Sequence, residues 1–192
     1  MSATSRALAL AIVASACIGS TSALAQSIDE KAQVCTACHG ENGIPQDKTI
    51  PVIWGQHQGY VYLQLRDYKR GTRKNEQMSP IAEGLERNDM LALAEYFSKK
   101  TWPDLNQPDA DPATTAKALR ANASLVCSSC HLAEYQGDGT VPRLAGQSAE
   151  YLAKTLDQFR SRERANNPGM SDIASAASAE DIAALVTYLA GR

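Results

Sequence analysis

The sequence predicts an all-α protein of two tandem, similar domains, and three observations predict it. The chain repeats itself once, at an offset of 92 residues. Each half carries apolar residues at helical spacing, with no alternating strand pattern in competition. Between the halves lies a stretch, residues 101–112, that holds Pro103, Pro108 and Pro112 and reads as a stiff, extended linker.

The repeat is clearest at Val34-Cys35-Thr36-Ala37-Cys38-His39, which is answered by Val126-Cys127-Ser128-Ser129-Cys130-His131. Pro51, Gly55, Gln56 and Tyr60 then match Pro142, Gly146, Gln147 and Tyr151 at an offset of 91, because the first loop is one residue longer. Arg73 and Asn75 match Arg164 and Asn166 at the same shift, and one more residue restores 92 so that Met78 meets Met170 and Tyr96 meets Tyr188.

Two helical faces repeat along with these residues, so the halves share a fold and not merely a motif. Val61, Leu65 and Tyr68 reappear as Leu152, Leu156 and Phe159, the i, i+4, i+7 spacing of one helix face. Met90, Leu93, Ala94 and Phe97 reappear as Ile182, Leu185, Val186 and Leu189, a closing helix for which Ser178 and Asp181 make a cap. Each half therefore reads as a short helix, the cysteine motif, an irregular loop, a middle helix, a second loop holding a methionine, and the closing helix.

The start of the chain reads as a secretory signal peptide over 1–25: Arg6, an apolar run from Ala7 to Ile18, then Ala23-Leu24-Ala25 before the expected cleavage. That run is shorter than the ~20 residues a membrane span needs, so no integral membrane segment is expected, while peripheral association stays open. Cys17 after Ala14-Ser15-Ala16 is a rival lipid-attachment reading. The domains expected are 26–100 and 113–192. At about 80 residues each they have small apolar cores, and a buried cofactor would help to hold them. With 19 basic and 21 acidic residues, the charge is too balanced for a nucleic-acid partner, which leaves proteins.

CxxCH is the attachment signature of c-type haem. Two cysteines three apart at a helix can each tether one vinyl group of a porphyrin, and the histidine that follows points its imidazole at the iron. Zinc would need a fourth ligand in each half, yet outside the motifs the expected mature chain has one histidine and no cysteine. A redox disulfide gives no reason for the histidine. Two covalent haems are thus expected, on Cys35 and Cys38 and on Cys127 and Cys130, with His39 and His131 as axial ligands.

Methionine is the candidate for the other axial position, because His39 to Met78 and His131 to Met170 both span 39 positions although the loops between them differ. Met170 is the sole methionine of the second half; Met90, a rival in the first, falls in the apolar stripe and matches Ile182, as a core residue would. His57, a rival ligand, matches Ser148 and reads as a solvent-facing residue at a helix entry. Pro51 and Pro142 are expected to offer backbone carbonyls to the far nitrogens of the two imidazoles. Arg73 and Arg164 read either as a solvated face or as groups that neutralise haem propionates or dock an acidic partner.

These residues together resemble the cytochrome c4 family, over nearly all of the expected mature chain. The resemblance implies two tandem class I cytochrome c domains with approximate two-fold pseudo-symmetry, haems edge to edge, and His/Met ligation of both irons. It also implies a periplasmic carrier that passes single electrons between redox proteins, a terminal oxidase among them, with no catalysis on a substrate. Two alternatives stay open: the dihaem subunit of a complex such as flavocytochrome c sulfide dehydrogenase, and a haem peroxidase, which needs one open iron position. Trp54 in place of the second half's Ala145, and Glu134-Tyr135 in place of Asn42-Gly43, are differences able to set the two haems apart.

Overall fold

A computed structural model describes residues 27–192; the expected signal peptide and Cys17 lie outside them. The first half contains α1 (Ile28–His39), α2 (Gln58–Lys69), α3 (Met78–Glu83) and α4 (Arg87–Ser98). The second contains α5 (Pro112–Leu125), α6 (Cys127–His131), α7 (Ala149–Arg160), α8 (Pro168–Ser175) and α9 (Ala179–Ala190). Among the described residues there is no strand, only an isolated bridge between Asp138 and Val141. No single helix among them is long and apolar enough to cross a membrane.

Local chemistry sets the helix ends. Ser27 caps α1 and Ser178 caps α9, in each case with a carboxylate three residues on that returns a bond to the cap's own N–H (Glu30 at 2.8 Å, Asp181 at 3.3 Å). Pro112 opens α5 and does not close the linker. Asp111 accepts from the Ala113 and Thr114 amides at 2.8 and 3.0 Å, and a proline at the first helical position gives up a donor that would have no partner there.

Packing repeats as the periodicity demands. In the first half α4 lies against α1 and α2; in the second α9 lies against α5 and α7. Val61, Leu65, Met90, Leu93, Ala94 and Phe97 form one core; Leu152, Ile182, Leu185, Val186 and Leu189 belong to the other, with Phe159 buried as well. Met90 is thus a core residue, as its place in the stripe implies. The linker is extended but fastened: the Gln107 side chain donates to the carbonyls of Gln147 and Ala190, both at 3.0 Å, and accepts from the Ala149 amide at 2.9 Å.

Candidate functional site

Both cysteine motifs sit where a helix delivers a histidine into the interior. Cys35, Cys38 and His39 occupy the end of α1, while Cys127, Cys130 and His131 make up α6, which the left-handed Val126 (φ +50°) separates from α5. None of the four cysteines pairs in a disulfide. The two histidines are 6% and 5% exposed, so each ring is committed to the inside.

The loops that follow return to meet these rings. His39 Nδ1 lies 2.8 Å from the Pro51 carbonyl oxygen and His131 Nδ1 lies 3.0 Å from that of Pro142. A carbonyl only accepts, so each Nδ1 carries the proton and each Nε2 keeps a lone pair for a metal. Burial pushes both imidazoles below the usual histidine value, and the carbonyl bonds counter it only in part. Neutral, oriented imidazoles are what iron ligation requires.

The methionines are held alike, though not on loops as the periodicity implies. Met78 is the first residue of α3 and Met170 lies in the first turn of α8. Asn75 Oδ1 accepts from the Met78 amide at 2.9 Å, and Asn167 Oδ1 accepts from the Met170 amide at 3.1 Å. The structural counterpart of Asn75 is therefore Asn167, one residue beyond the sequence match. Asn166 instead turns to the other half, donating to Asp67 at 2.8 Å and Gln64 at 3.3 Å.

The domain interface absorbs three residues read differently from sequence. His57 does not face solvent alone: its Nε2 lies 2.7 Å from the Gln136 carbonyl of the other half. Arg73 and Arg164 are buried beneath the interface, which removes them as docking groups for an acidic partner. Arg73 donates to Tyr151 at 3.2 Å and Arg164 to Tyr60 at 3.4 Å, a crossed pair, and both reach Gln64 Oε1 at 2.9 Å. Each guanidinium also lies over an aromatic ring of its own half, Tyr68 at 4.6 Å and Phe159 at 4.3 Å.

Two buried cations without a carboxylate in ion-pair range, among the described residues, are costly unless an anion reaches them. A haem with two propionates would supply that anion. No three His, Cys, Asp or Glu side chains among the described residues converge as a separate metal site, so the zinc reading has no ligand set. The donor set, the tethering thiols and the unpaired cations all fit c-type haem.

Two CxxCH helices, each with a carbonyl-locked histidine and a helix-start methionine, define a c-type cytochrome of two haem domains. The cytochrome c family model matches residues 113–192. Cytochrome c4 of Azotobacter vinelandii is 33% identical over 84% of this chain and 85% of its own length. A thiosulfate dehydrogenase electron acceptor of Stutzerimonas stutzeri is 34% identical over 83% of this chain and 79% of its own. The crystal structure of reduced cytochrome c4 from Pseudomonas stutzeri superposes with a TM-score of 0.76 at 31% identity, over 85% of this chain and 96% of that one. The chain belongs to the cytochrome c4 family: it is a dihaem electron-transfer protein with two covalently attached c-type haems, and not an enzyme.

Proposed function

We propose that the protein is a periplasmic carrier that passes single electrons between redox proteins, with a terminal oxidase as acceptor. The expected signal peptide and the resemblance to cytochrome c4 support the compartment and the acceptor. In this reading Cys35 and Cys38 tether one porphyrin and Cys127 and Cys130 the other, with His39 and Met78, and His131 and Met170, as the axial pairs. The observation that carries it is the duplicated lock of a buried imidazole on a proline carbonyl, at 2.8 and 3.0 Å, which leaves one nitrogen of each ring for iron.

Each bound haem supplies an iron that cycles between two oxidation states. The chain's residues set the conditions for that cycle. The histidines stay neutral and fixed, and the methionines fill the positions where a substrate would otherwise bind. Arg73 and Arg164 neutralise propionates at the domain interface. Both guanidiniums are buried, which limits the solvent reorganisation that accompanies charge transfer.

A second reading is favoured by the relative that serves as a thiosulfate dehydrogenase electron acceptor. There the chain would receive electrons from a sulfur-oxidising enzyme, a case related to the flavocytochrome c sulfide dehydrogenase alternative, with the same ligands. Affinity capture of the haem-loaded protein from a periplasmic extract, followed by stopped-flow mixing with each captured partner, tests both. Fast one-electron exchange with an oxidase and no stable catalytic subunit is expected. A tightly held dehydrogenase subunit would favour the second reading, and peroxide turnover by the isolated protein would contradict both.

A further inference from the structure

Gln56 and Gln147, matched in the repeat and each 3% exposed, reach across to the opposite half. Gln147 Oε1 accepts from the Val52 amide at 2.8 Å, and its Nε2 donates to the Val52 carbonyl at 3.0 Å. Gln56 does the same in reverse: Oε1 accepts from the Arg143 amide at 2.9 Å and Nε2 donates to the Arg143 carbonyl at 3.1 Å. Each Oε1 also takes the amide of the next residue, Ser148 or His57, at 3.0 Å, which fixes the orientation of both side-chain amides.

The Val52 N–H and the Pro51 C=O belong to one peptide group, as do the Arg143 N–H and the Pro142 C=O. These are the carbonyls that take the Nδ1 protons of His39 and His131. A hydrogen bond accepted from one end of a peptide draws charge toward its oxygen and strengthens the bond made at the other end. The gain is about 10–30% per bond and survives best where water is absent. Val52, 1% exposed, is such a place.

We propose that Gln147 and Gln56 are positioning residues, each tuning the haem of the opposite domain through the proline peptide on which that domain's histidine is locked. The inference rests on His39 and His131 as iron ligands. Its sign follows from charge. A more negative carbonyl oxygen makes the imidazole more basic, a basic imidazole favours oxidised iron, and the haem potential falls. Docking of the two domains therefore lowers both potentials together, and the wiring is crossed: the second half sets the first haem and the first half sets the second.

The test uses the full, haem-loaded protein with Gln147→Met and Gln56→Met, which keep volume and remove the amide. A redox titration followed by NMR resolves each haem's own signals. In Gln147→Met the reduced-to-oxidised ratio at a fixed potential is expected to rise by a factor of about 1.2 to 1.7 at the His39 haem and to stay unchanged at the His131 haem, the size of a 10–30% change in one hydrogen bond. Gln56→Met is expected to give the mirror image. A shift confined to the variant's own domain, or equal shifts at both haems, would overturn the relay. In the unmodified reduced protein, scalar coupling across the hydrogen bond between the Val52 amide and the Gln147 side-chain carbonyl is expected, and its absence would overturn the relay even if the variants fail to fold. Histidine ligation of the unmodified protein, read in the same spectra, separates the two claims: if it persists without the crossed shift, only the relay falls.

Discussion

The two halves fill the same pocket from opposite walls. In the first, Trp54 lies so close over Gly43 that a Cβ on the glycine would sit 2.7 Å from the indole. In the second, the counterpart of Gly43 is Tyr135, buried to 2%, and the counterpart of Trp54 is Ala145, whose amide donates to the Tyr135 carbonyl at 3.2 Å. One large ring and one small residue occupy each site, with the assignments exchanged. What the fold conserves between its halves is volume, and a residue-by-residue match registers that as two unrelated substitutions.

The halves also differ in what the backbone tolerates. Gly40, after the first histidine, has φ +89°, and a Cβ there would lie 2.0 Å from the Ile44 carbonyl oxygen. The same position in the second half is Leu132, at φ +66° and ψ 170°, a region that normally only glycine enters. The second half thus holds the turn behind its histidine under strain that the first half avoids.

The largest effect expected from breaking this comparison is in Tyr135→Ala, which empties a fully buried site and should cost about 3–5 kcal/mol in the second half, read by denaturant titration of the haem-loaded protein. Trp54→Ala should cost less, about 2–3 kcal/mol, and in the first half only, because Trp54 is half-buried. Equal losses for the two variants would show that the difference in burial between the two rings carries no weight. The smallest effect sharpens the comparison: Leu132→Gly relieves about 1–3 kcal/mol of strain against about 1 kcal/mol of chain entropy, so thermal unfolding should show a slight gain in stability. A loss there would mean that the leucine side chain contributes more than its backbone costs.

The helices and the candidate ligand residues were legible because they are written locally. Val61, Leu65 and Met90 announce their faces by spacing alone, and CxxCH fixes cysteine and histidine within one helical turn. Pro51 and Pro142 were legible too, since a histidine ligand needs a carbonyl and the repeat offers the same proline twice. The interface was not. Whether Arg73 faces solvent or Tyr151 depends on how the second domain docks, and no periodicity encodes that. Gln56 and Gln147 stood in the repeat, but their reach across the interface has no local sign. The match of Asn75 failed for a simpler reason: Asn166 and Asn167 are adjacent, and only the hydrogen bond to the Met170 amide tells which one caps the helix.

Electron transfer without substrate chemistry requires Met78 and Met170 as sulfur ligands, and the iron-to-methionine absorption band of the oxidised protein tests them. Met78→Ala is expected to remove about half of that band, because one of two equivalent iron–sulfur bonds is lost. A band left at full strength in that variant would mean that Met78 binds no iron.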